Sequence, residues 1–381
     1  MVSRRHFIIG SSLAPMALTG CATPSANHPG NSRPAQQLSK AYPGHILGPG
    51  PAGRCDDKKI GVGVPRWDAA SNRFLMWYFC RDREFSSDAP ATLGTGRIAL
   101  AESTNGIQWT RVDGAAAKGA VLDKSPNESD FDSLHLGLTD MMFHEDQWWM
   151  CTFGGNREPI TIEGRVRLGL RMRSGFATSS DGMNWTKREG PATGKSLIDI
   201  KVGSVFSSWP NCVVDDQGNF VLYTTSTIGR VGPFKTWISV SDDQGSTWQA
   251  KGQLKWLDEQ QPWEAAGIMT RHVQANPFPG KRWLMLYTAI GPAPRVERSI
   301  AAAVSDDLIH WQHLYDEPIL KKSDGEGWDS LGVAAPQLLV VNGTVMLYYF
   351  GLKPYKLEGV PTGVGLAISE TGDLLNFKRH V

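Results

Sequence analysis

The sequence predicts an all-β fold, a five-bladed β-propeller of four-stranded antiparallel blades, and three observations predict it. A turn phrase occurs five times, at residues 102–109, 179–185, 241–248, 305–311 and 369–377, closing on Trp109, Trp185, Trp248, Trp311 and Phe377. An aromatic, β-prone run also occurs five times, at 74–79, 148–153, 220–224, 283–288 and 345–350. A further strand-like run precedes each of these, at 61–66, 137–143, 209–214, 267–273 and 332–338. The closing aromatics recur every 63 to 76 residues, a period that fits one propeller blade.

Each repeat supplies its strands in the same order. The innermost strand comes first and leads through a tight turn, such as 216–219 or Asn342-Gly343, into the aromatic second strand. A third strand follows at 97–101, 175–178, 236–240, 299–304 and 363–368 and ends at the turn phrase. The fourth starts near the closing aromatic. The phrase is complete at Ser241, Asp243, Gly245 and Trp248 and resembles the Asp-box of sialidase-type propellers. Its chemistry is structural: the Asp or Asn side chain accepts turn amides, Gly takes a left-handed conformation, and Trp packs between blades. These acids are therefore set aside as catalysts. Long amphipathic helical runs are missing, which argues against α/β alternatives.

The chain has 381 residues, a net charge of +1 and 20% charged residues, and no basic stripe of the kind a nucleic-acid partner requires. Residues 3–8, with Arg4 and Arg5, resemble a twin-arginine export signal. The apolar stretch 7–20 is too short to span a bilayer comfortably. It ends in Leu18-Thr19-Gly20-Cys21, which resembles a lipobox with Cys21 as the acylated residue. The expected organisation is a signal peptide at 1–21, a disordered tether at 22–44 rich in Pro, Ser, Asn, Gln and Gly, and a propeller at 45–381. The expected location is outside the cytoplasm, held to a membrane by lipid. Cys55, Cys80, Cys151 and Cys212 show no CxxC spacing, so neither a metal site nor a cofactor is expected. Cys80 and Cys151 read as buried thiols; an oxidising compartment permits a disulfide without specifying a pair. The sequence leaves the oligomeric state open.

In a propeller the inner strands converge on the axis, so residues just before and at the start of those strands line one mouth of the channel. Asp56 and Asp57 precede the first inner strand. Asp132 and His135 precede the second, which contains Asp140. Trp209 and Asn211 stand in the third, and Arg66 in the first. Trp263 and Glu264 precede the fourth, which carries Arg271 and His272, and Asp329 precedes the fifth. An unpaired buried carboxylate is costly, so Asp140 is expected to face the channel or a basic partner.

The five blades, the Trp-(Asp/Glu)-x-x-Gly entries at 263–267 and 328–332 and the Ser-Asp-x-Leu-x-x-Trp turn at 305–311 resemble the five-bladed glycosidases around glycoside hydrolase families 43, 32, 117 and 130. The resemblance covers nearly the whole mature domain. It implies a glycoside hydrolase acting on an oligo- or polysaccharide through paired carboxylates in the central pocket. It carries Asp57 over as base or nucleophile, Asp140 as the auxiliary acid and Glu264 as the proton donor. Asp56, Asp132, His135 and Asp329 join the substrate-binding set. Trp209, Asn211 and Trp263 are candidate sugar contacts, and Arg66, Arg271 and His272 would hold an anionic group or neutralise the acids. His272 or His135 is an alternative acid. Two other readings remain: a glycoside phosphorylase, and a noncatalytic surface glycan-binding lipoprotein. A plainer alternative for Glu264 and Asp329 is that they only cap strand entries, and for Asp56 and Asp57 that they pair with Lys58 and Lys59. The loops 81–96, 157–173 and 351–361 are expected to wall the pocket.

Overall fold

Each of the five repeats folds into one antiparallel sheet, ordered from the axis outward as in the chain. The computed structural model describes residues 42–84, 94–229, 232–293, 296–325, 327–353 and 362–381. Cys21, the signal segment and most of the tether lie outside the described residues, as do 85–93 and 354–361 of the expected pocket loops. Blade 1 comprises strands Lys59–Asp68, Arg73–Arg81, Gly96–Ser103 and Thr110–Val112. Blade 2 comprises His135–His144, Gln147–Gly155, Arg173–Ser179 and Thr186–Arg188. Blade 3 comprises Phe206–Val214, Phe220–Thr227, Phe234–Ser241 and Gln249–Gln253. Blade 4 comprises Ile268–Ala275, Trp283–Ile290, Arg298–Ser305 and His310–His313. Blade 5 comprises Gly332–Val341, Thr344–Leu352, Gly363–Ser369 and Phe377–Arg379.

Ring closure is a feature the repeat pattern did not predict. The short strand His45–Leu47 pairs with the third strand of blade 5, so chain from the start of the domain completes its last sheet. The residues just before this strand are tied to blade 5 as well. The Gly44 amide donates to the His380 carbonyl at 2.6 Å, and Trp328 Nε1 donates to the Pro43 carbonyl at 2.9 Å.

The repeated turn performs its expected structural work. Asp181 Oδ1 accepts the amides of Met183 and Asn184, each at 2.8 Å, and Asp307 Oδ1 those of Ile309 and His310 at 2.9 and 2.7 Å. Gly182 takes φ +72°, and an added Cβ would stand 2.8 Å from the Trp77 ring of blade 1. The carbonyl at this turn position accepts a hydrogen bond from the preceding blade: Gly106 from Tyr348, Gly182 from Trp77, Leu308 from Tyr223. The closing aromatics follow the same rule. Trp109 packs on Tyr348, Trp185 on Trp77, Trp248 on Phe176 and Trp311 on Tyr223, with centroids 6.1–6.3 Å apart. The turn is therefore an inter-blade rivet, burying a ring and satisfying a polar handle at once.

One irregularity recurs near the axis. Every inner strand holds one extra residue relative to its second strand, between Ile60 and Gly63, Leu138 and Asp140, Ser208 and Asn211, Ile268 and Arg271, and Ala334 and Gln337. Such bulges re-aim side chains. Beyond the bulges, Val64, Asp140, Asn211, His272 and Gln337 face Trp77, Cys151, Tyr223, Leu286 and Tyr348 and occupy equivalent places in the five blades.

Candidate functional site

The acids expected at the blade entries are drawn away from the axis into the sheets. Asp56 accepts from Tyr78 Oη at 3.0 Å and from Arg111 Nε, on the fourth strand, at 2.6 Å. Asp132 accepts from Lys187 Nζ at 2.5 Å, again from a fourth strand. Glu264 accepts from Tyr287 Oη and meets His313 Nε2, both at 2.9 Å. Asp329 accepts from Tyr349 Oη at 3.0 Å and from Arg379 Nε at 2.7 Å. All four are buried. In four blades, then, the entry acid clasps the loop before the inner strand to a cation on the outermost strand. The glycine that follows is fixed by close packing in blade 4, where a Cβ on Gly267, at φ +97°, would lie 2.0 Å from the Phe234 carbonyl oxygen.

Asp57 is half-buried and accepts the amides of Gly53 and Arg83, both at 2.8 Å. Asp57, Asp140 and Glu264, expected to act together, stand in three separate hydrogen-bonded networks. The expected pairing of Asp56 and Asp57 with Lys58 and Lys59 is replaced by these contacts. Sequence reasoning missed the outer-strand cations because they lie 50 to 55 residues after the acids they meet in the chain, at Asp56–Arg111, Asp132–Lys187 and Asp329–Arg379.

The axis gathers a different set. The bulge in blade 2 aims Asp140 at Arg66 of blade 1 and at the Asn211 amide of blade 3. Arg66 Nη1 donates to Gln337 Oε1 at 2.8 Å and Nε to the Met141 carbonyl at 3.0 Å. Gln337 Nε2 donates to the Thr139 carbonyl at 3.1 Å, which fixes its amide with the oxygen toward Arg66 and His272. His272 Nδ1, 2.7 Å from that oxygen, must therefore carry the proton. Its Nε2 faces the Gln274 side chain at 3.1 Å. Burial lowers the His272 pKa, keeping the imidazole neutral at neutral pH. Arg66, Asp140, Asn211, His272 and Gln337 thus form one polar knot spanning all five blades. On the side of the β-turns joining inner and second strands, Arg66, Asp140, His272 and Gln274 line a cleft of about 350 Å³.

Gln337 was not expected. Its signal was present: Pro210-Asn211 and Pro336-Gln337 are matching Pro-polar pairs in blades 3 and 5. The residues before these prolines, Trp209 and Ala335, both adopt left-handed conformations, at φ +52° and +51°.

Arg271, the residue before His272, leans into the interface with blade 3 and donates to Thr225 Oγ1 and the Met269 carbonyl. It is buried, and its Nε and Nη1 have no hydrogen-bond partner among the described residues. Burial pulls its pKa down to about 9. His135 is buried with Nε2 2.8 Å from the Gly169 carbonyl, tying the inner strand of blade 2 to the loop 156–172. Burial, then the Arg81 charge, push its pKa down to about 3.

The mouth at the starts of the inner strands is apolar and aromatic. Trp209 is half-buried, 4.7 Å from Phe206 and 6.3 Å from Phe234 between ring centroids. Phe153, Met172 and Met269 belong to the same cluster. The loop expected at 157–173 contains the hairpin Ile160–Ile162 and Arg165–Arg167, and Ile160 and Ile162 pack on this cluster. The same loop carries Glu158, which sequence reasoning also missed. It lies 3.0 Å from Arg171 and 2.8 Å from Arg173. Partial burial opposes its ionisation, but Arg173 and Arg171 hold it below the ordinary carboxylate range. Trp263 is half-buried away from the axis, with Nε1 donating to the Asp316 carbonyl at 3.0 Å. Among the described residues, no group of three or more His, Cys, Asp or Glu side chains is arranged to hold a metal ion.

This architecture defines the class of protein by its fold: a five-bladed β-propeller of four-stranded blades. A thermostable family-43 glycoside hydrolase aligns over 90% of this chain and 98% of its own, with a TM-score of 0.57 and 16% identity. A glycosyl hydrolase from Bacteroides ovatus aligns over 89% and 97%, with a TM-score of 0.60 and 14% identity. An N-acetylgalactosamine deacetylase from F. plautii aligns over 90% and 91%, with a TM-score of 0.60 and 15% identity. No protein-family model matches the sequence. No curated protein matches it either. At these identities the likeness establishes the fold.

Proposed function

We propose that this protein is a glycoside hydrolase that takes an oligosaccharide at the loop-bearing mouth of the propeller, with Trp209 as the platform for a sugar ring. The observation carrying this reading is the Trp209 conformation. A bulky residue at φ +52° is strained, and such strain collects at functional sites. Here it raises a half-exposed indole at the mouth, beside the ordered 156–172 loop. A flat apolar ring suits the C–H face of a pyranose, and Glu158 supplies an ionised carboxylate on that loop. Asp57 stands at the entry of blade 1 on the mouth side, and Asp140 holds Arg66 and Asn211 deeper in the channel; in this proposal Asp57 acts at the mouth, Asp140 positions the axial residues, and removal of either carboxylate abolishes turnover. A phosphorylase is less well supported, because every Arg66 donor nitrogen already has a protein acceptor.

One observation favours a second reading, a noncatalytic glycan-binding propeller. Glu264 has no exposed surface and meets His313 and Tyr287, so the expected proton donor faces protein rather than the mouth. A glycan-library hydrolysis screen, run with and without phosphate beside Trp209→Ala, Asp57→Asn and Asp140→Asn, separates the readings. Turnover lost in the Asp variants supports the hydrolase. Turnover only with phosphate moves the proposal to a phosphorylase. Trp209-dependent binding without turnover moves it to a binding protein, and neither binding nor turnover overturns it. The proposal includes export and a lipid on Cys21. Palmitate labelling that persists in Cys21→Ala would reject the anchor.

A further inference from the structure

A cleft of about 570 Å³ opens on the loop-bearing side of blade 4, between residues 291–293 and 297–299 and the connection 317–324 that leads to blade 5, a volume within the range of about 300–1,000 Å³ typical of small-ligand sites. None of its lining residues belongs to an inner strand, so it is separate from the axial mouth. Its aromatic wall is Trp263. The indole is anchored at three points. Nε1 donates to the Asp316 carbonyl at 3.0 Å, the ring stands edge-on to His313 at 5.8 Å, and the backbone belongs to the short turn Pro262–Glu264. Glu264 pins that turn through His313 and Tyr287, both at 2.9 Å. The platform is thus held before any ligand arrives, which limits the ordering cost of binding.

The rest of the lining identifies the ligand chemistry. Glu297, Glu317, Lys321 and Lys322 project charges of both signs, already matched as Lys321–Glu317 at 2.6 Å and Lys322–Glu297 at 3.2 Å. Balanced surface pairs offer donors and acceptors to hydroxyl groups without favouring either ionic sign. A fixed indole face beside alternating donors and acceptors matches a neutral sugar, apolar on its C–H face and hydroxylated at its edge.

We propose that this cleft is an accessory binding site for a neutral sugar unit, with Trp263 as its platform. The inference builds on the carbohydrate reading of the axial mouth but uses none of its residues. In the full chain, affinity gel electrophoresis and calorimetry with xylohexaose, mannohexaose and arabinohexaose test it. Trp263→Ala should weaken binding of one of these sugars by about tenfold or more. Trp263→Phe, which keeps an aromatic face, should restore most of it, with thermal melting confirming that both variants fold. Binding lost in Trp209→Ala but unchanged in Trp263→Ala rejects the accessory site and leaves the axial reading standing. Binding sensitive to Trp263 but not to Trp209 supports the cleft while removing the axial platform. Equal loss in Trp263→Ala and Trp263→Phe, or no binding of any of the three sugars, also overturns the proposal.

Discussion

At the blade entries Asp56, Glu264 and Asp329 each meet a tyrosine hydroxyl and a cationic partner from the outermost strand, whereas at the axis Asp140 meets Arg66 and Asn211, partners no other blade repeats. The entry clasps recur in blades 1, 2, 4 and 5 because these blades solve the same problem, fastening an incoming loop to a finished sheet. The axial positions differ because five side chains meet at one place and must complement each other. Val64, Asp140, Asn211, His272 and Gln337 are equivalent in register and chemically all unlike. In a repeat protein, sameness between repeats marks scaffold, and divergence at equivalent positions marks the place to look for function.

The sharpest way to break that contrast is to cut a clasp. Asp329→Asn leaves Arg379 without its carboxylate in a buried pair and should cost about 3–5 kcal/mol in chemical denaturation. Any glycan binding by the protein that remains folded should be unchanged. Loss of binding at unchanged stability would make the clasp part of the site. At the axis, Asp140→Asn should cost less, about 1.5–3 kcal/mol, because Arg66 keeps the carbonyls of Pro65, Met141 and Gln337. This substitution should also abolish turnover; full activity would return Asp140 to a structural role.

Trp209→Gly sharpens the contrast further. Removing the left-handed strain returns about 1–2 kcal/mol, offset by loss of the half-buried ring, for a net change under about 1 kcal/mol. Glycan affinity should nevertheless fall steeply in calorimetry. A large stability loss with affinity intact would identify the ring as packing.

The smallest expected effect distinguishes one clasp from another. Burial opposes protonation of His313, but Glu264 and Asp258 on its two ring nitrogens raise its pKa above the ordinary value. The charged form is favoured in the folded state. This stabilisation is complete below the unfolded value of about 6.5 and is lost as pH rises through the folded value. Melting temperature should therefore decline as pH rises above the unfolded value of about 6.5, and His313→Gln should flatten that part of the profile. The Arg379 clasp should show no such dependence, since arginine stays charged throughout.

Much of the scaffold is legible in the sequence because it is local and repeated. The Ser and the Asp or Asn of each turn accept amides two to four residues away, and alternating aromatic strands carry their burial pattern in the chain. The blade count, the strand order and the structural role of the turn acids follow from those short-range rules. The closing pair of His45–Leu47 with blade 5 is nonlocal and leaves no comparable signature.

The site was legible only in part. Arg66, Asp140, Asn211 and His272 were identifiable as polar residues on inner strands, and Trp209 as an aromatic at a strand start. Gln337 and Glu158 were missed, the first because a glutamine signals little without its partners, the second because its loop position says nothing of Arg171 and Arg173. The sequence by itself determined which residues carry charge and which strands carry them. Only the tertiary structure decided which charges face each other. A one-residue bulge turns Asp140 toward the axis, while the sheet width delivers Arg111, His313 and Arg379 to acids about 50 residues earlier. Pairing energy depends on distance in space and on burial, and neither is a function of separation along the chain.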